Sequence, residues 1–271
     1  MSTIDFHVLS DLHLEHFPGF RLERARVTAP HLILAGDIGC PSEPEYVDFM
    51  RHCSELFEKV FTVMGNHEAY GARSLEDGID RVSTVCGALD NVHFLHRGSC
   101  DIAPRGQRHP RLRVLGTTLW SHVPAHREKD VGCFIADYRQ IPGFTVRSNN
   151  EAHEAEVRWL DAEIARAEAE QTDLVVVTHH APRHGTSHPK NDGSPLNCAF
   201  STDLTHLLNR KPIKLWVHGH THYNHLGQSV LVTNQRGYAS KPDEGVRFDP
   251  YRTFCVQNSS KSLELDEPAS F

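Results

Sequence analysis

The sequence predicts an α/β layered fold, and three observations carry that reading. Short apolar or β-branched runs recur along the chain, each bounded by Gly, Pro or polar residues, as buried strands are. Amphipathic helical stretches fall between several of them, and strands alternating with helices over short connections place the helices on sheet faces. Polar clusters rich in Asp and His stand just past several of the runs, where ligands sit in such folds.

The strands are expected at 4–9, 32–35, 60–64, 92–95, 112–115, 174–178, 213–217, 230–233 and 253–256. Residues 44–58 read as a helix, with Val47, Met50, Leu56 and Phe57 apolar and Pro44 suited to a first turn. The clearest helix is 150–170, where Val157, Leu160, Ile164 and Ala167 repeat at three and four residues among charges. Another is expected at about 201–210. Residues 120–150 read as irregular, forming a second rim. The segment 183–200, "RHGTSHPKNDGSPLNCAF", is rich in turn formers without periodicity, so it is a long loop of the kind that often serves as a lid. The polar tail from about 258 is expected to fray. No repeat, low-complexity tract or linker interrupts residues 1–271, which favours a single domain.

Composition narrows the function classes. With 271 residues, 39% of them hydrophobic and 23% charged, the chain has the make-up of a soluble enzyme-sized protein with a real core. No apolar run approaches the roughly 20 residues that span a bilayer, and the start lacks the basic and apolar regions of a signal peptide, so a cytoplasmic protein is expected. The net charge of −7 and the scattered Lys and Arg argue against a nucleic-acid backbone binder. Seven cysteines without a C-x-x-C pair suit a reducing compartment and argue against a thiolate zinc site. Histidine, at 21 copies, is the overused residue.

Each polar cluster has an ordinary reading when taken alone. Asp11 and His13 in "SDLHLE" could cap a turn, although alternation in an extended segment puts both on one side. Asp37 follows a glycine after a strand, a common turn. Asn66 and His67 in "GNHE" fit a turn, and His179 fits a satisfied core histidine. His220 and His222 in "VHGHTH" are harder to dismiss, because two rings on one side rarely both find structural partners. Together, five strand ends deliver Asp, Asn or His, and no Cys, toward one edge of one sheet. That donor mix suits divalent Mn, Fe or Zn. Seven groups exceed one ion's needs, so two divalent metal ions sharing a carboxylate is the economical arrangement.

In this order the motifs "DLH" (11–13), "GD" (36–37), "GNHE" (65–68), "THH" (178–180) and "GHTH" (219–222) resemble the signature of the calcineurin-like metallophosphoesterases. The resemblance spans residues 11 to 222. It implies a four-layer fold, a β-sandwich of two mixed sheets flanked by helices. It further implies one metal on Asp11, His13 and His222, a second on Asn66, His179 and His220, and Asp37 bridging them. His67 would face the substrate phosphate and assist the leaving group while a metal-bridging hydroxide attacks phosphorus. Many family members orient that histidine with an acidic residue a few positions beyond G-D, whereas "GDIGCPSE" offers no aspartate there. His180 is expected to hold a ligand through its other nitrogen, and His218 is read as structural. "LVTNQRGY" at 231–238 resembles the N-P-R-G-Y segment of many bacterial members, with Gln235 at the proline position, and no catalytic role is read from it.

The family hydrolyses monoesters, diesters and pyrophosphate-type bonds. A small phosphate-ester substrate, most simply a phosphodiester, is expected here, with no membrane and no nucleic-acid partner. The alternatives are a phosphomonoesterase or nuclease of the same family, or a non-catalytic interaction scaffold, against which the presence of all seven ligand positions speaks. Trp120, His184, His188, Lys190 and Asn197 are candidate substrate contacts.

Overall fold

A computed structural model describes residues 3–102, 112–225, 230–238 and 247–257. The first sheet holds β1 (Thr3–Leu9), β2 (His31–Leu34), β3 (Lys59–Thr62), β4 (Val92–Phe94) and β10 (Thr253–Gln257), in the order β10-β1-β2-β3-β4. Strands β1 to β4 run parallel, and β10 joins β1 antiparallel. The second sheet holds β5 (Gly98–Ile102), β6 (Leu112–Thr117), β7 (Asp173–Thr178), β8 (Ile213–Val217) and β9 (Leu231–Val232) in sequence order, with only β5 antiparallel.

Alternation along these strands builds the layers. Phe6, Val8, Ile33 and Phe61 of the first sheet pack in one buried cluster with Val114, Val175, Val177 and Val217 of the second, which closes the sandwich. The other faces are apolar too. Leu9, Leu32, Leu34 and Val60 pack against Tyr46, Phe49, Met50 and Cys53 of helix α1 (Pro44–Leu56) and Val82 and Cys86 of α2 (Leu75–Gly87). Leu174, Val176 and Trp216 pack against Leu160, Ile164 and Ala167 of the long helix α5 (Val146–Glu170). Strands apolar on both faces follow from this helix-sheet-sheet-helix stacking.

All nine expected strands exist. The tenth, β5, escapes a sequence reading because "GSCDI" is an edge strand with exposed Ser99 and Asp101 and carries no hydrophobic pattern. Helix α2 escapes it too, since Gly78 and Gly87 weaken its propensity; Ser74 caps it through Asp77 N at 3.2 Å. The helix expected at 201–210 shrinks to α6 (Thr205–Leu208). The rim at 120–150 is not irregular: it contains α3 (Glu128–Phe134), α4 (Asp137–Gln140) and the first turn of α5, where Thr145 and Ser148 form a capping box. The tail from 258 lies outside the described residues. Among the described residues no helix is long and apolar enough to cross a membrane.

Candidate metal centre

The loops that follow β1, β2 and β3 in one sheet and β7 and β8 in the other converge at one end of the sandwich. The expectation of one edge of one sheet is therefore corrected: both sheets contribute, three loops from the first and two from the second. Backbone bonds stitch these loops together, among them Asp11 N to Gly36 O (3.0 Å), His13 N to Asp37 O (3.0 Å) and Gly219 N to His179 O (2.9 Å).

The spacing of the paired ligands has a different cause from the one expected. Asp11, His13, Asp37, His220 and His222 all have positive φ, between 48° and 68°, so none belongs to an extended segment. Left-handed backbone at non-glycine residues costs about 1–3 kcal/mol each and persists where the surroundings impose it, commonly at functional sites. Close approach matters as well. A Cβ added at Gly65 would come within 2.2 Å of Asp37 Oδ1 and 2.8 Å of His179 Cε1, so the "GN" turn can touch the cluster only as glycine.

All seven expected metal ligands come together. Asp11, His13, Asp37 and His222 offer donor atoms that lie within 4.8 Å of one another, as do Asp37, His179 and His220. Asp37 belongs to both groups. Asn66 joins the second, its Oδ1 3.1 Å from His179 Nε2.

The donor chemistry fits cations. His179 Nδ1 lies 2.8 Å from the Ala35 carbonyl, so in the neutral ring that nitrogen carries the proton and Nε2 offers a lone pair. That lone pair faces Asp37 Oδ2 at 3.4 Å and Asn66 Oδ1, two further Lewis bases. The Asn66 amide is oriented by its Nδ2, which donates to Asp137 Oδ1 and Tyr70 Oη, each at 2.9 Å. On the other side His13 Nε2 and His222 Nε2 stand 3.0 Å apart, and His222 Nε2 is 3.2 Å from Asp11 Oδ1. Buried bases aimed at one another need a positive centre between them. Without an ion the His179 proton supplies it: burial opposes charge on that ring, but Asp37 lifts it to about 10, and a cation would take that proton's place.

Supporting contacts fix this set. Burial alone would raise the Asp37 carboxyl, but the imidazoles of His179 and His67 beside it hold it well below the usual range. Burial, with His180 and His179 adjacent, pushes His220 well below its ordinary value and keeps it a neutral ligand. The His220 ring lies between His180 (centroids 3.9 Å apart) and Phe200 (4.9 Å). His180 thus supports a ligand with its ring face and not, as expected, through a nitrogen; its Nδ1 is 2.9 Å from Ser121 Oγ. His218 stays outside both groups, bonded to Gly219 O and His225.

His67 sits beside the cluster. Its backbone N donates to Asp37 Oδ1 (2.9 Å), its Nδ1 is 2.9 Å from Glu15 Oε1, and its Nε2 is 3.3 Å from Tyr238 Oη. Burial opposes charge on this ring, but Asp37 and Glu15 lift it to about 9. Several residues here escape the sequence reading. Glu68 accepts backbone bonds from Asp37, Ile38 and Gly65 and ties the "GD" turn to the "GN" turn. Gln235 accepts from His222 N at 2.6 Å, and Tyr238 covers His13 and His222 with ring centroids 4.7 and 4.6 Å away. The "NQRGY" segment therefore braces the "GHTH" loop. Glu68 stands inside the quoted motif, so its position is a visible signal; Asp137 lies in the rim read as irregular, and nothing marks it.

The candidate substrate contacts fare differently. Trp120 is buried in the core against Phe144 and His180. His184, His188 and Asn197 bond within the 183–200 loop and its neighbours, to Ser201, to Lys190 N and to Asn191 O respectively.

The sequence model described as calcineurin-like phosphoesterase matches residues 4–224. The chain belongs to the calcineurin-like phosphoesterase family. It is accordingly a metal-dependent hydrolase of phosphate esters. An uncharacterized protein of Acanthamoeba polyphaga mimivirus is 28% identical over 243 residues, 82% of each chain. Among solved structures, the phosphopantetheinyl hydrolase of Mycobacterium tuberculosis is similar with a TM-score of 0.62 at 18% identity, covering 87% of this chain and 90% of that one. The TT1561 protein of Thermus thermophilus has a TM-score of 0.50 at 14% identity, covering 86% and 90%. At these identities the likeness shows the fold: two mixed sheets flanked by helices.

Proposed function

We propose that this member of the family hydrolyses small phosphodiesters at a centre of two divalent ions, Mn, Fe or Zn. The observation that carries the reading is Asp37: its carboxylate belongs to both donor groups, one with Asp11, His13 and His222 and the other with His179 and His220. In this reading Asn66 completes the second group. When bound, the ions supply Lewis acidity and lower the pKa of a coordinated water toward neutrality. The protein's own part is to hold the donors and to manage the leaving group. With Nδ1 committed to Glu15, His67 turns Nε2 toward the cluster, 4.0 Å from Asp37 Oδ2, where it delivers a proton to the departing oxygen. His67 is the catalytic residue of this proposal.

Diester preference is supported by charge. Among the described residues, no lysine or arginine is a hydrogen-bond or ion-pair partner of the seven ligand candidates or of His67. A monoester dianion asks for more compensating cations than a diester monoanion. The net charge of −7 likewise disfavours a nucleic-acid backbone. Seven free thiols suit a reducing, cytoplasmic setting.

The test is hydrolysis of bis(p-nitrophenyl) phosphate against p-nitrophenyl phosphate with Mn²⁺, on the native protein and on Asp37→Asn. Faster diester turnover that Asp37→Asn abolishes is expected. Monoester preference would redirect the reading to a phosphatase, and inertness toward both esters would refute generic hydrolysis and leave either a narrow substrate gated by the 183–200 loop or a scaffold.

A further inference from the structure

We propose that Glu15 is the positioning residue of this centre, one oxygen holding both the leaving-group histidine His67 and the metal ligand His13. The inference rests on the function proposed above and deepens it.

The geometry starts in the backbone. Leu14 N donates to Ile38 O at 3.0 Å, which lays the turn after His13 alongside the "GDIG" turn and sets Glu15 next to Gly39. A Cβ built on Gly39 would stand 3.0 Å from Leu14 Cβ and 3.5 Å from Glu15 Oε2. Glycine at 39 thus leaves room for Leu14 two residues beyond Asp37, with the carboxylate of Glu15 passing beside it from the neighbouring loop. An acid missing from one turn is supplied by the other.

Oε1 of that carboxylate is 2.9 Å from His67 Nδ1 and 3.2 Å from His13 Nδ1. A carboxylate only accepts, so both rings donate from Nδ1 and both point Nε2 inward. His13 Nε2 then reaches the His222 and Asp37 donors at 3.0 and 3.9 Å, and His67 Nε2 faces Tyr238 Oη at 3.3 Å. The two rings meet edge to face with centroids 4.4 Å apart, so neither turns without the other. His13, Glu15 and His67 also bring ligand atoms within 4.8 Å of one another, but with Oε1 shared between the two Nδ1 atoms, Glu15 acts through the two rings in this proposal. In the step it supports, the P–O bond breaks with its electron pair on the leaving oxygen. That oxygen takes the Nε2 proton of His67, and the neutral ring keeps its Nδ1 proton on Glu15.

The test compares Glu15→Ala and Glu15→Gln in native and His67→Ala backgrounds, with circular dichroism confirming the fold of each variant. Two readouts separate the two rings. First, kcat is measured on phenyl and p-nitrophenyl diesters: Glu15→Ala is expected to cost about threefold on the p-nitrophenyl ester, which leaves without a proton, and about 100-fold on the phenyl ester. In the His67→Ala background that difference disappears. Second, Mn²⁺ affinity by titration calorimetry falls about tenfold or more in Glu15→Ala, whether or not His67 is present, and Glu15→Gln, which still accepts a hydrogen bond, recovers most of it. Equal losses on the two esters, or unchanged Mn²⁺ affinity, overturn the assignment. Should the native protein cleave neither ester, the proposed function falls, and Mn²⁺ affinity alone decides whether Glu15 holds His13.

Discussion

Replacing Glu68 by alanine removes the clasp that joins two ligand-bearing turns. Its Oε2 accepts from Asp37 N (3.1 Å) and Gly65 N (2.8 Å), and its Oε1 from Ile38 N (2.7 Å), all in the buried interior. A buried donor left unpaired costs about 1–3 kcal/mol, so three would cost about 3–9 kcal/mol if nothing relaxed. Part of this is offset, because burying the carboxylate is itself unfavourable: burial and the nearby Asp37 charge push it up to about 7. A net loss of about 3 kcal/mol is expected for Glu68→Ala. Glu68→Gln can turn its oxygen to Asp37 N and Gly65 N and strands only Ile38 N, which sets its loss at about 1.5 kcal/mol. Urea unfolding of the metal-free proteins measures both values. An alanine variant within about 1 kcal/mol of the native protein, or equal losses for Ala and Gln, would refute the clasp.

Three other outcomes are expected. Gly65→Ala forces a methyl group to within 2.2 Å of Asp37 Oδ1, so the protein should retain its secondary structure by circular dichroism while calorimetry finds Mn²⁺ binding lost. Asp137→Ala releases the Asn66 amide from one of its two partners at 2.9 Å and should weaken one of two Mn²⁺ binding steps about tenfold, leaving the other unchanged; two equally weakened steps would argue against that linkage. Glu156, buried where it accepts from Thr117 Oγ1 and Trp120 N, is raised by burial to about 7. Its contribution to stability is present below about pH 4.5 and is lost as pH rises toward 7, so Glu156→Gln should flatten that part of the stability profile and be relatively more stable at pH 8.

Much of this was legible because strand periodicity and ligand chemistry both leave local marks. Runs such as "DLVVVT" are apolar on both faces and could only be covered strands, and the seven donors sit in five short motifs. What the sequence hid is what depends on distant partners. Helix α2 carries two glycines and is held by packing of Val82 and Cys86 more than by propensity. The division of the loops between two sheets is invisible to periodicity, which fixes faces and not neighbours. The pairing of Glu15 with His67 joins residues 52 apart, and Asp137 reaches Asn66 across 71. Even a correct spacing had the wrong cause at Asp11–His13 and His220–His222, where left-handed backbone and not alternation sets the side chains.

The centre is also the place where the chain closes on itself. His220 N donates to Asp11 across a separation of 209 residues, and Gly237 N reaches back to Asp11 O. Contacts so remote in sequence form late, because the loop between them must first be ordered. Neither sheet alone can assemble the donor set, so ions bound as proposed would rivet one half of the sandwich to the other. At a free concentration 100 times the dissociation constant, one such ion adds about 2.7 kcal/mol to the folded state and nothing to the open chain. In the proposed two-ion reading, metal affinity therefore reports whether the two sheets have closed on each other.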